Sequence, residues 1–261
     1  ALRHYKIAIE LKPDYAEAYN NMGVALKGKN EFKASLDCFN TLLKIKPKDA
    51  DAHNNLGNVW KEMGEIETAL KSYEEATRVR QNFPEAYNNL GVILKDKGDL
   101  TLAIEKFQKA IEIRPDYEEA FYNLALAYLS QCDFEKGWPL YEQRWAVKDF
   151  KSKFFQTEKP YWYPSLNKRI LVWKEQGIGD EIMFASLILD LYALCSKLIV
   201  KIDRRLILLF TRSFPGDVDF RPKDEAVSEE EYDAHIPMGS LPRYFRPTID
   251  SFKPSSKGWL S

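Results

Sequence analysis

The stretch AYNNLGVILKDKG, residues 86–98, decides the fold because close copies of it recur along the first half of the chain. The copies are AYNNMGVALKGKN (18–30), AHNNLGNVWKEMG (52–64) and AFYNLALAYLSQC (120–132), at a constant spacing of 34 residues. Each copy is followed by a second apolar segment that contains one recurring aromatic residue, at Phe39, Tyr73, Phe107 or Tyr141. Self-similarity at such a period is typical of arrays in which every unit is a pair of antiparallel helices.

Small residues in these units support the helix-pair interpretation. Glycines 23, 57 and 91 would let two helices approach closely, and small residues stand four positions before each aromatic, at Ser35, Ala69, Ala103 and Gly137. Together these positions resemble the tetratricopeptide repeat over residues 1–147. The resemblance implies a right-handed superhelix built from a half repeat and four repeats, over residues 1–15, 16–49, 50–83, 84–117 and 118–147. The half repeat holds only a second helix, which predicts that the array is cut at this side.

One face of the first helices is the expected ligand face. Side chains at three- and four-residue steps share a helix face, and across the repeats this face carries asparagines and lysines. They are Asn21, Asn55, Asn89 and Asn123, and Lys27, Lys61 and Lys95. The resemblance implies that the asparagine amides grip the backbone of a protein or peptide ligand. The alternative is that they bond to neighbouring helices and fix the superhelix, and the lysines are more simply explained as a solvated row.

The junction segment, residues 148–167, has no helical period but many aromatic residues. A free linker would not carry so many rings, so the sequence predicts an ordered, mostly non-helical segment strapped across both domains. In that segment Trp162 and at least two aromatic neighbours should be substantially buried. The alternative is an exposed strip that binds peptides.

Residues 168–261 change to alternating strands and helices. Apolar runs predict strands at 169–173, 197–202, 218–220 and 232–238, with helices over 180–195 and 203–214. This alternation is typical of a parallel sheet, which binds ligands at the carboxyl ends of its strands. The loop EQGIGDE (175–181) stands at such an end, but it matches neither the dinucleotide fingerprint nor the phosphate loop. The fold class is therefore mainly α, with a repeat superhelix followed by a partial, Rossmann-like α/β domain.

The α/β part resembles the N-terminal half of a GT-B glycosyltransferase, close to the heptosyltransferase-like enzymes that bacteria fuse behind tetratricopeptide repeats. The resemblance rests on KPYWY (159–163), RILVWKEQGIGDEIMFA (169–185), RSFP (212–215) and DAHIPMGSLPRYF (233–245). It implies that Asp180 is the general base for an acceptor hydroxyl. It also implies an acceptor cleft that includes Gly177, Gly179 and Glu181. His235 and Ser240 on the second loop are candidate acceptor contacts, with a structural role as the alternative for His235.

Two alternatives stay open for this part. Asp180 at a helix start could be only a helix cap, and the prediction places it at or next to the N-cap. GT-B enzymes hold a nucleotide-sugar donor mainly in a second domain, so the sequence predicts an inactive piece of a longer parent, with a protein or glycan as acceptor. The competing hypothesis is a non-catalytic binding module whose α/β part is a structural cap.

Composition excludes several other classes. The 38 basic and 39 acidic residues nearly balance, so no global field favours nucleic acid. Three cysteines and three histidines are too scattered for a disulfide framework or a metal site, and no bound cofactor is expected. No apolar run is long enough for a membrane span. These features indicate a protein of a reducing compartment, with a cytoplasmic location expected.

Overall fold

The computed structural model describes residues 1–148 and 150–252. The chain divides into two compact units, Ala1–Ala127 and Tyr128–Ser261. The repeat predicted over 118–147 is therefore divided between them, with its first helix ending just beyond the boundary.

The first unit consists of paired helices. Its elements are α1 (Leu2–Leu11), α2 (Ala16–Lys27), α3 (Phe32–Ile45), α4 (Ala50–Glu62), α5 (Ile66–Val79), α6 (Pro84–Asp96), α7 (Leu100–Ile113) and α8 (Glu118–Ser130), whose last turn belongs to the second unit. Local signals set their ends: the Asp49 carboxylate accepts the Ala52 N–H at 2.9 Å at the start of α4, and Pro84 opens α6. Both are favourable at a helix N-terminus.

The turn inside each pair has a recurring left-handed residue. Asn30, Gly64 and Gly98 have φ angles of 61°, 81° and 89°, and they stand 34 residues apart. A helix commonly ends with such a residue, which glycine adopts without strain and asparagine tolerates. The turns therefore follow from the sequence as directly as the helices do.

Within each pair an aromatic ring lies on a glycine. The rings of Phe39, Tyr73 and Phe107 are fully buried. A Cβ built on the facing glycine would come within 2.7 Å, 2.5 Å and 2.6 Å of them, respectively. No side chain fits at those distances, so Gly23, Gly57 and Gly91 are what allow the ring to fill the space between the helices.

The second unit contains a four-stranded parallel sheet with helices around it. Its elements are α9 (Phe134–Tyr141), β1 (Lys168–Trp173), α10 (Ile178–Ala185), α11 (Ile188–Tyr192), β2 (Cys195–Ile202), α12 (Ile207–Ser213), β3 (Asp219–Pro222), β4 (Ala234–Pro237) and α13 (Pro242–Phe245). Short 3-10 turns lie at Glu142–Trp145, Arg204–Leu206, Glu229–Glu231, Met238–Ser240 and Ile249–Ser251. The strand order is β3-β2-β1-β4, in agreement with the predicted α/β part.

Both sheet faces are covered. On one face Val172 and Val200 are fully buried in a cluster that includes Phe184, Ile188 and Phe210 from the helices. On the other, a smaller cluster holds Leu171, Ile199 and Tyr232, with Phe155 of the junction segment packed against it. The register aligns Leu171 with Ile199 of β2 and with His235 of β4, so β1, like β2, is an interior strand of the sheet.

The predicted helix over 180–195 is wrong as a single element. The chain breaks at Ser186 and Leu187 into α10 and α11, and β2 already begins at Cys195. Leu187 and Ile188 are both buried. The break lets two short helices each direct apolar side chains into the same core, which one straight helix of this sequence would not do.

The junction segment lies along the β4 edge. Trp162 N–H donates to His235 O at 2.8 Å, and His235 N–H donates to Pro160 O at 3.1 Å. Trp162 is 1% exposed, and Phe150, Phe155 and Tyr161 are partly buried, whereas Phe154 and Tyr163 are exposed. Asp149 lies outside the described residues. Backbone pairing to an edge strand explains why a segment without helical period is ordered here.

Candidate peptide-binding face and the loops of the α/β unit

Asparagines of successive first helices are hydrogen-bonded in a row. The Nδ2 atoms of Asn55, Asn89 and Asn123 donate to the Oδ1 atoms of Asn20, Asn54 and Asn88 at 3.0, 2.9 and 3.0 Å. Each bond joins the first helix of one repeat to the first helix of the repeat before it. The row therefore fixes the spacing of the stack, as the structural alternative from the sequence proposed.

The row leaves hydrogen-bonding capacity unused. A carboxamide has two donors and an acceptor oxygen, more than the one or two bonds that each donating asparagine forms here. Asn21, at the start of the row, is exposed, whereas Asn55, Asn89 and Asn123 are partly buried. Sequence reasoning missed the accepting partners Asn20, Asn54 and Asn88 as a set, although the repeated NN doublet is their signal.

Charges beside the asparagine row are unevenly paired. The acids at the starts of α4 and α6 are paired in the structure, Asp51 with Arg80 at 2.5 Å and Glu85 with Arg114. Lys95 pairs with Asp96 at 2.9 Å, while Lys61 is exposed and Lys27 partly buried. A depression of about 390 Å³ opens at the first repeat, and its lining includes Ala16, Glu17, Asn20, Asn21, Leu42, Lys46, Asp49 and Asp51.

Asp180 lies inside the first turn of α10. The N-cap is Gly177, so the prediction that Asp180 stands at or next to the N-cap is wrong; it is the third helical residue. Gly177 N–H donates to Asp180 Oδ2 at 3.1 Å, which folds the carboxylate back onto the helix start. Gly177 and Gly179 are exposed, and a Cβ at Gly179 would meet open space. A carboxylate is stabilising in this position because the first N–H groups and the helix dipole favour negative charge.

Glu181 is buried, with 2% of its surface exposed, and its bonding partners belong to the same unit. Its carboxylate accepts the Asp203 N–H at 2.7 Å and pairs with the Lys174 ammonium. These contacts join the loop after β1 to the residue that follows β2. The predicted contact of Glu181 with an acceptor stays a prediction, but the structure gives this carboxylate internal partners.

His235 is also buried, with 3% of its surface exposed. Trp173 Nε1 donates to His235 Nδ1 at 3.1 Å, and rings of Phe154, Phe155 and Tyr161 surround the imidazole. Burial lowers the pKa of His235 below its ordinary value, so the ring is neutral at neutral pH and accepts the indole N–H. A contact with an acceptor would require these rings to move.

Ser240 belongs to a buried polar cluster that the sequence did not indicate. Ser240 Oγ accepts a hydrogen bond from Arg144 Nη2 at 2.7 Å and donates to Glu142 Oε1 at 2.7 Å. Arg144 also pairs with Glu175 at 2.8 Å. Arg144 and Glu175 are separated by 31 residues and Arg144 and Ser240 by 96, and no local pattern connects such positions.

The electrostatics of this cluster are set by burial. Burial raises the pKa of Glu175 to about 7, although the Arg144 guanidinium acts in the opposite direction. For Arg144, burial opposes the charge, but the Glu175 and Glu142 carboxylates hold its pKa above the ordinary value. Two carboxylates thus share one buried guanidinium, and burial favours the protonated form of Glu175.

Residues 1–148 and 150–252 contain neither a metal-binding cluster nor a membrane-spanning helix. No group of three or more His, Cys, Asp or Glu side chains there is arranged to hold a metal ion. In the same part of the chain, every helix is too short or too polar to cross a bilayer.

Stacked helix pairs with an amide row on their first helices define a class of helical-repeat scaffolds that bind other proteins. The TPR repeat family model matches residues 1–30, 26–64, 57–98 and 93–131, which together span half of the chain. The chain belongs to the tetratricopeptide repeat (TPR) family, and the predicted TPR identity is confirmed. The match ends before β1, so it does not extend to the sheet of the second unit.

Known proteins share this repeat architecture. Protein FlbA of Caulobacter vibrioides is 29% identical in an alignment of 135 residues that covers 45% of this chain and 22% of FlbA. The chain thus spans about a fifth of the length of that relative. The crystal structure of MamA has a TM-score of 0.50 at 20% identity, covering 54% of this chain and 83% of MamA. Pseudomonas aeruginosa pilF has a TM-score of 0.50 at 20% identity, covering 53% and 64%. At these identities the structural likeness concerns the fold alone.

Proposed function

We propose that this TPR scaffold binds an extended segment of a protein partner along the asparagine row. The carrying observation is the series of amide-to-amide bonds, which places equivalent carboxamides at one step per repeat. A peptide backbone offers N–H and C=O groups at regular intervals, and carboxamides can pair with both kinds of group. The depression beside Asn20 and Asn21 gives such a segment a recessed place to start.

A substitution at Asn21 can distinguish a role of the asparagines in peptide binding from their role in stacking the repeats. It occupies the position equivalent to Asn55, Asn89 and Asn123, but it is exposed and takes no part in the three bonds of the row. Asn21→Ala should therefore leave stability within about 0.5 kcal/mol of wild type. One lost hydrogen bond should weaken peptide binding about 3–10-fold. Peptides selected from a random library on the full chain, with affinities measured by fluorescence anisotropy, provide the test.

Asn55→Ala is the matched control. It should lower both peptide affinity and stability, because Asn20 loses its partner. Selected peptides that bind wild type, Asn21→Ala and Asn55→Ala equally well would show that the ligand face lies elsewhere.

A second candidate function is sugar transfer, with the second unit as the acceptor half of a GT-B-type site. The supporting observation is the glycine loop at the carboxyl end of β1 in a sheet of order β3-β2-β1-β4. In this proposal Asp180 is the general base, which requires its carboxylate to leave the Gly177 N–H. The donor would be a nucleotide sugar and the acceptor a glycan or protein, with Gly177, Gly179, Glu181, His235 and Ser240 near the acceptor.

We expect this chain to release no nucleotide from UDP-, GDP- or ADP-sugars in a coupled assay. Sugar transfer by a GT-B site needs donor and base held on facing domains, and the described residues contain one α/β sheet. Positioning supplies much of the rate. Turnover that disappears in Asp180→Asn would overturn the half-site version and make this chain an enzyme by itself. Turnover that survives in Asp180→Asn would reduce Asp180 to a helix-capping residue.

A further inference from the structure

The strand order of the sheet in the second unit reverses at β1. β2 and β3 lie on one side of β1, and β4 lies on the other. In parallel α/β sheets the connections leave in opposite directions at such a reversal, and ligands bind in the crevice beyond the carboxyl ends of the two strands. Here the corresponding position, called the β1–β4 crevice below, lies beyond Trp173 of β1 and Pro237 of β4, and protein side chains fill it.

The walls of this crevice carry buried polar groups. Glu175 follows β1 by two residues and is 6% exposed, and Ser240 follows β4 by three residues and is 1% exposed. Gly239 completes the wall, because a Cβ there would overlap Glu175 Oε1. Glycine at this position therefore lets the carboxylate stand in the crevice.

The side chain of Arg144 fills the crevice, and none of it is exposed. Its Nε donates to Glu175 Oε2 at 3.1 Å, and its Nη2 donates to Glu175 Oε2 at 2.8 Å and to Ser240 Oγ at 2.7 Å. Its Nη1 donates to Tyr141 O at 3.0 Å and to Glu142 Oε1 at 2.9 Å. All three guanidinium nitrogens are thus bonded.

The partners suit a planar cation. A guanidinium presents its N–H groups as a rigid fork that matches a carboxylate with two parallel bonds. Tyr161 Oη donates to the second oxygen of Glu142 at 3.2 Å, which orients that carboxylate. The Arg144 guanidinium also lies 4.5 Å from the Trp145 ring centroid, and such stacking favours guanidinium over ammonium.

We propose that the crevice between β1 and β4 is a guanidinium-binding site that the chain occupies with its own Arg144. The short segment 141–145 acts as an internal ligand. It occupies the position at which other parallel α/β sheets bind an external ligand. A molecule that enters must carry a guanidinium group and displace this segment. The proposal is independent of the peptide-binding function proposed above.

Chemical rescue tests this site in the full chain. Arg144→Ala should lower the melting temperature of the second unit by about 5–15 °C, because it leaves Glu175 buried without its partner. Guanidinium chloride up to about 50 mM, where its denaturing action is small, should restore several degrees in a saturable manner. Equal concentrations of sodium, ammonium or tetramethylammonium chloride should not restore the melting temperature. Tryptophan fluorescence reports mainly the second unit, which contains five of the six tryptophans, whereas Trp60 lies in the first unit.

Two further variants keep the outcome interpretable. Arg205→Ala removes an exposed arginine of the same unit, so it should show a small shift and no rescue. Arg144→Ala combined with Ser240→Ala should require several-fold more guanidinium, since one acceptor is gone. If Arg144→Ala is unfolded in buffer, the readout is guanidinium-dependent recovery of the native signal. Absence of recovery, or equal recovery with ammonium, would overturn the proposal.

Discussion

Replacing Phe107 by alanine should lower the free energy of unfolding of the repeat unit by about 3–5 kcal/mol. The ring is fully buried, and its Cε1 atom would lie 2.6 Å from a Cβ placed on Gly91. The glycine cannot refill the space, and helices α6 and α7 are held apart by their other contacts, so a cavity remains. In a repeat array each unit stabilises its neighbours, and the loss should therefore weaken the whole stack.

Urea unfolding followed by circular dichroism at the helical band measures this loss. Leu102→Ala on the same helix is the control, because Leu102 is 47% exposed and should cost less than about 1 kcal/mol. Equal losses in the two variants would show that the glycine–aromatic contact does not dominate the packing of the pair.

The second unit should lose stability as the pH rises from about 5 to about 8. Glu175 has a pKa of about 7 in the folded chain against an ordinary value of 4.5. The folded state therefore holds the proton more tightly, and this stabilisation is complete below pH 4.5 and lost as the pH rises through 7. At about 1.4 kcal/mol per pH unit, the interval corresponds to about 3 kcal/mol.

Glu175→Gln isolates this effect. Glutamine cannot ionise, so the stability of the variant should lack this decline between pH 5 and pH 8. His235 has a lowered pKa, so its contribution to the free energy of unfolding rises with pH. Both proteins contain His235, so this contribution cancels when the wild-type and Glu175→Gln profiles are subtracted. Asp233 and Glu231 have pKa values lowered to about 2 by their arginine partners, so their contributions are complete before pH 5. Parallel stability profiles for the two proteins would contradict the assigned pKa of Glu175.

Much of the repeat unit was predictable because its decisive contacts recur at a fixed spacing. Gly57 and Tyr73 stand 16 residues apart, as do Gly91 and Phe107. The packing predicted for one helix pair therefore applies to the other pairs. The parallel sheet was also predictable, since its strands are short apolar runs between helices. The break of the predicted helix at Ser186 was not, because it depends on how Leu187 and Ile188 reach a core formed by distant strands.

The candidate sites were also predicted only in part from the sequence. The sequence placed the asparagines on one helix face but left two roles open, and the bonds from Asn55, Asn89 and Asn123 to the preceding repeat supply the structural one. The superhelix geometry and the contact of this face with a ligand stay predictions. The sequence predicted Asp180 at or next to a helix N-cap, whereas the structure places it at the third helical position with its carboxylate bonded to Gly177 N–H.

The sequence by itself determined the TPR array, because side chains that meet within one repeat are close in the chain and follow helical periods. Only the tertiary structure decided the Arg144–Glu175–Ser240 cluster. Each of these residues has a type that is common at protein surfaces, and none belongs to a periodic pattern. They become buried partners because β1, β4 and the segment after α9 converge at one end of the sheet. Once water is excluded there, every charge needs a partner of opposite sign and matching geometry.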